Sequence, residues 1–171
     1  MENNVEVFII AALTADGFIA KNLEHTPISW TSKEDKEFFK EKTKKAGVVI
    51  MGENTYNTIG KPLSDRLNIV YSRDKQYEGV ETTQKDPKDL IEDLKNRGYK
   101  EIAICGGSTI YTMFMEAGLV DKLYFTVEPI VFGSGMNLFN KEIDKKLQLV
   151  SVKNLSSQTI LLEYFCCLEK V

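Results

Sequence analysis

Residues 5–13 (VEVFIIAAL) are apolar at all but one position, which is the pattern of a strand buried on both faces. The turn signal Asp16-Gly17 follows. Residues 33–45 are charged, with Phe38 and Phe39 as apolar anchors, and predict a helix capped by Thr31 or Ser32. A short apolar strand over 48–51 ends at Gly52; a helix over 54–59 and a strand over 67–71 come next. Residues 87–97 open with Pro87, stop before Gly98 and carry Leu90, Ile91 and Leu94 at helical spacing. A strand over 101–105 runs into Gly106-Gly107, then a helix over 108–117 and a strand over 123–127. Residues 146–154 and 158–168 alternate about Ser156-Ser157 and predict an antiparallel hairpin. Strands alternating with helices predict an α/β fold: a mainly parallel central sheet flanked by helices, with a C-terminal antiparallel hairpin. Ligands of such sheets bind at the carboxyl ends of the strands.

A length of 171 residues with 43% hydrophobic content suits one domain over 1–171. With 22 basic and 25 acidic residues the net charge of −3 leaves no broad footprint for nucleic acid or an anionic membrane. The polar, acidic start Met1 to Asn4 is unlike a signal peptide, and no segment reaches the roughly 20 apolar residues of a membrane span. Cys105, Cys166 and Cys167 lack zinc-like spacing and read as buried thiols of a cytoplasmic protein. His25, the one histidine, lies in a polar stretch and reads as an exposed loop residue, so acid–base chemistry falls to a carboxylate or a tyrosine.

Two strand-to-helix junctions carry glycine: Met51-Gly52-Glu53-Asn54-Thr55 and Cys105-Gly106-Gly107-Ser108. Glycine lets a ligand approach the backbone, and a helix N-terminus offers free N–H groups to a pyrophosphate. Two such junctions suit a dinucleotide, although the pattern lacks the G-x-G-x-x-G fingerprint. Ser72 and Arg73 follow a strand directly and suit a phosphate; a solvated loop arginine is an equally good reading. Arg66, at the other end of that strand, suits a carboxylate. Thr31 with Glu34 and Ser32 with Asp35 form two overlapping capping boxes, which locally makes Asp35 an ordinary first-turn acid.

An ordered set of segments changes that reading. Ile10 to Leu13, Trp30 five residues before Asp35 and Phe39 four after it, Ile50-Met51-Gly52, Thr55-Tyr56, 59–63, 66–70, 106–111 and 123–126 together resemble the dihydrofolate reductase family. The resemblance implies the dihydrofolate reductase-like fold and reduction of dihydrofolate with NADPH. It makes Asp35, Thr126 and Trp30 the catalytic group, with Thr126 bonding the Asp35 carboxylate beside the pterin. Ala11, Phe39, Ile59, Leu63 and Tyr111 would line the substrate pocket, and Arg66 would grip the glutamate tail. Ala12, Ile19, Cys105, Ile110 and Tyr111 would border the nicotinamide side of the cofactor, beside a cis peptide between Gly106 and Gly107. Thr55, Ser108 and Thr109 would contact the pyrophosphate, Ser72 with Arg73 the 2′-phosphate, and Gly52 and Asn54 would also bind the cofactor. The stretch 17–31 would be a loop closing over the site, and no metal is required.

Three features depart from that family. Glu53 stands where a basic residue would meet the 2′-phosphate, leaving Arg73 to compensate alone, and Lys36 replaces an apolar pocket residue. The segments 14–20 and 128–139 resemble the riboflavin-pathway pyrimidine reductases of the same fold. That branch implies a ribosylated diaminopyrimidine, or another small molecule, as the alternative substrate. A non-catalytic nucleotide-binding module is the third reading. The oligomeric state stays open.

Overall fold

The computed structural model describes residues 5–167; the expectations for Met1 to Asn4 and for residue 168 lie outside them. Strands β1 (Glu6–Thr14), β3 (Val48–Gly52), β4 (Leu67–Tyr71), β5 (Glu81–Thr83), β6 (Glu101–Ile104) and β7 (Lys122–Glu128) lie parallel in one sheet. β10 (Ile160–Cys166) runs antiparallel to β7, and β9 (Leu147–Asn154) antiparallel to β10, giving the order β5-β4-β3-β6-β1-β7-β10-β9. The predicted hairpin is therefore the sheet's antiparallel margin. A second, two-stranded antiparallel sheet joins β2 (Phe18–Ala20) to β8 (Met136–Asn137).

The side-chain period of two splits the apolar strands between two cores. Val7, Ile9, Val48 and Ile50 face α3 (Pro87–Asn96) and α4 (Ser108–Glu116), where Leu90, Leu94 and Phe114 are buried. Phe8, Ile10, Val49 and Met51 face the other way, against Phe38, Phe39 and Ala46 of α1 (Lys33–Ala46) and Tyr56 of α2 (Glu53–Ile59). Near-continuous apolar strands are what a sheet covered on both faces needs.

One local reading is resolved and three change. Ser32, not Thr31, caps α1, its hydroxyl accepting from the Asp35 N–H. The expected loop over 17–31 contains β2 and a 3-10 turn at Pro27–Ser29, because pairing across to β8 satisfies backbone groups that local sequence leaves open. Only Cys105 of the three thiols is buried; Cys166 is half-buried and Cys167 exposed, since both sit at the end of β10 near the sheet margin. His25 is half-buried rather than exposed, with its ring stacked on Trp30 and edge-on to Phe132.

Candidate active site

A cleft of about 1020 Å³ runs along the carboxyl ends of the parallel strands. Ala11 and Ala12 come from β1, Gly52 from β3, Tyr71 from β4 with Ser72 just after it, Thr83 from β5, and Cys105 to Gly107 from the turn after β6. The two glycine junctions touch: Gly52 N–H donates to the Gly106 carbonyl at 2.7 Å. The Gly106–Gly107 peptide is cis. Gly106 has φ +109°, a conformation side chains resist, and a Cβ there would lie 3.0 Å from the Tyr111 hydroxyl. The N-caps of α2 and α4 are Gly52 and Gly107, and neither helix has a side-chain cap. Their first-turn N–H groups are thus left to other acceptors. Asn54, Thr55, Thr109, Ile110 and Tyr111 line the cleft beside them, with Ile19 across from β2.

Asp35 lies on the first turn of α1, on the far side of β1 and β7 from α4. Asp35 is 8% exposed, and its Oδ1 accepts a hydrogen bond from Thr126 Oγ1 on β7. Thr126 pairs in register with Ala12 of the cleft, which sets the acid beside the cleft's inner end. Burial raises the Asp35 carboxyl above the usual carboxylate range. The Thr126 hydroxyl opposes that rise, the charge of Glu128 adds to it, and Lys36 opposes it. Tyr111 is fully buried in the α4 wall, and its hydroxyl donates to the Ile10 carbonyl at 2.8 Å. Burial likewise pushes the Cys105 thiol far up, so it acts as an apolar wall and not as a nucleophile.

Trp30 packs against His25 and Phe132, and its indole N–H is buried without an acceptor among the described residues. His25 lines the cleft. Phe39, Ile59 and Leu63 gather on the α1–α2 side of the sheet, against the core that contains Met51 and Tyr56.

Other side chains are engaged elsewhere. Arg66 spends its guanidinium on Thr43 Oγ1, at 2.6 Å, and on the Ser64 carbonyl, at 2.9 Å. Ser108 Oγ donates to the Asn137 carbonyl, and Thr109 Oγ1 accepts from Asn140, so at these residues the backbone is the freer donor. Ser72 Oγ donates to Glu53 at 3.0 Å, and Lys75 bonds the same carboxylate at 2.6 Å. These contacts hold Glu53 below the usual carboxylate range. Arg73 therefore does not stand alone against Glu53: Lys75, which no motif marks, neutralises that carboxylate from within the same turn. Lys36 reaches the Ile28 carbonyl at 2.9 Å and ties α1 to the 3-10 turn. Among the described residues no cluster of three or more His, Cys, Asp or Glu side chains is arranged to hold a metal. No helix among them is long and apolar enough to cross a membrane.

This sheet, with its cleft over two glycine junctions, defines a protein of the dihydrofolate reductase-like class of oxidoreductases. The dihydrofolate reductase family model matches residues 6–159, and the chain belongs to that family. It is 34% identical over 121 residues to the dihydrofolate reductase of Haemophilus influenzae, across 69% of each chain. The structure of dihydrofolate reductase from Enterococcus faecalis complexed with NADP(H) aligns at a TM-score of 0.71 and 26% identity, over 94% of this chain and 96% of that one. A putative riboflavin biosynthesis protein from Shewanella sp. PV-4 shares the fold at a TM-score of 0.80 and 21% identity, over 95% and 99%.

Proposed function

We propose that this chain reduces 7,8-dihydrofolate to tetrahydrofolate with NADPH, in the cytoplasm. The observation that carries the reading is Asp35, a buried acid held by Thr126 beside the inner end of the cleft. Bound NADPH would supply a hydride to C6 of the pterin. Asp35 accepts hydrogen bonds from the pterin ring edge, and its raised pKa favours a proton at N5 near neutral pH. Trp30 offers a buried N–H that a bound molecule would satisfy. Phe39, Ile59 and Leu63 give the ring system an apolar wall, and Ala11 with Tyr111 separates it from the cofactor.

The cleft suits a dinucleotide. Uncapped N-termini of α2 and α4 present N–H groups for a pyrophosphate. At the outer end Arg73 supplies positive charge for a 2′-phosphate, with the Glu53 carboxylate neutralised by Lys75.

One observation favours a second reading, a ribosylated diaminopyrimidine as substrate. The two segments that resemble pyrimidine reductases meet in space: Asp16 accepts from the N–H groups of Phe132 and Gly133, and β2 pairs with β8. The test is loss of reduced-nicotinamide absorbance with NADPH and dihydrofolate, then with the pyrimidine. Turnover of dihydrofolate, blocked by a diaminopteridine antifolate, supports the first reading. Turnover of the pyrimidine alone replaces it with the second.

A further inference from the structure

Glu128 is 3% exposed and has no part in the chemistry above, yet it is wired to it. Its Oε1 accepts from the Ser32 N–H at 2.9 Å and from the Ser32 hydroxyl at 2.8 Å. Its Oε2 accepts from the Thr159 hydroxyl, in the turn between β9 and β10, at 2.9 Å. The Ser32 hydroxyl in turn accepts from the Asp35 N–H at 3.1 Å. Glu128 thus grips the N-cap of the helix that carries the acid.

The grip follows from two periodicities. Alternate residues of β7, Tyr124, Thr126 and Glu128, face α1, where Phe38, Asp35 and Ser32 lie at three-residue steps. Tyr124 packs against Phe38 at 6.0 Å, Thr126 bonds Asp35, and Glu128 bonds Ser32. A neutral acceptor would anchor Ser32 with less desolvation than a buried carboxylate. The charge at this position therefore needs a reason beyond anchoring.

We propose that Glu128 is a positioning residue for Asp35, fixing the first turn of α1 on β7 and placing a second negative charge beside the acid. This rests on the proposed role of Asp35 as the proton-bearing group. The titratable and charged groups acting on the Asp35 carboxyl are Glu128 from β7, Lys36 from its own helix and, from α4, Tyr111. Of these Glu128 is the one whose charge favours the protonated acid at neutral pH.

The test is Glu128→Gln in the full chain, read two ways. The first is a carbon-detected NMR titration of the Asp35 carboxyl without substrate; its midpoint should fall. The second is the pH profile of kcat/KM, which should lose about three- to tenfold on its alkaline side and little on its acid side. An unchanged midpoint, with activity lowered equally at all pH, overturns the proposal and leaves Glu128 an anchor. Should Glu128→Gln not fold, Glu128→Asp draws the carboxylate back from Ser32 towards its own strand. The midpoint must then fall part of the way, and a wild-type midpoint overturns the proposal. The carboxyl titration decides the role of Glu128 whatever the substrate is, and turnover of dihydrofolate decides the function separately.

Discussion

Thr126 Oγ1 on β7 donates to Oδ1 of Asp35 on α1, across 91 residues of chain. The bond joins α1 to the strand whose Thr126 pairs with Ala12 of the cleft. It gives a buried acid the strongest of the contacts that lower its pKa, while burial acts in the opposite sense and prevails. The balance between these two effects governs the first two predictions.

Asp35→Asn should lower turnover about 10²–10⁴-fold, most at neutral pH, while the dissociation constant of the dinucleotide stays near wild type. The same variant should be the more stable protein at neutral pH. The folded carboxyl is raised, so the stability it contributes is full below the unfolded carboxylate range and is lost as pH rises through the folded midpoint. Asparagine has no charge to bury, so its Tm advantage should shrink as pH falls. Steady-state kinetics and thermal melts across pH check both parts. A constant Tm difference at all pH would count against the raised pKa.

Thr126→Val removes the hydroxyl and keeps the shape. The Asp35 midpoint should rise further, and unfolding free energy should fall by about 1–3 kcal/mol, because a buried acceptor loses its donor. Denaturant unfolding measures the second effect. Stability equal to wild type would mean that another donor takes over.

Glu53→Arg replaces the carboxylate that holds Ser72 and Lys75 with a cation at the outer end of the cleft. Affinity for NADPH relative to NADH should increase roughly tenfold through charge-assisted bonds to the 2′-phosphate. Fluorescence titration of each cofactor reads this without turnover. Equal discrimination in the two proteins would place residue 53 away from the phosphate.

Gly106→Ala should cost at least about 2 kcal/mol, since φ +109° is strained for any side chain and the new Cβ would crowd the Tyr111 hydroxyl at 3.0 Å. The same variant should weaken dinucleotide binding. Urea unfolding with calorimetric titration of the cofactor tests the pair of effects, and a stability loss below about 0.5 kcal/mol would show that the turn relaxes freely.

Much of the fold is legible along the chain because its signals are local. The runs at 5–13 and 48–51 are apolar on both strand faces, Pro87 opens α3 where its missing N–H costs nothing, and glycine stands at both helix junctions. The short strands β2, β5 and β8 escape such reading, since two or three residues carry no period and owe their form to a partner elsewhere. His25 looks like a solvated loop residue until the turn at Pro27–Ser29 folds it onto Trp30.

The candidate site divides in the same way. Sequence by itself determined which residue types stand at each junction: the acid in a capping box, the glycines before two helices, the alternation on β7. What only the tertiary structure decided is which groups meet. Lys75 closes on Glu53, Arg66 turns to Thr43, and Glu128 reaches Ser32 across 96 residues. Backbone preference acts over a few residues, whereas the burial and pairing of charge depend on contacts the chain makes only once the sheet has assembled.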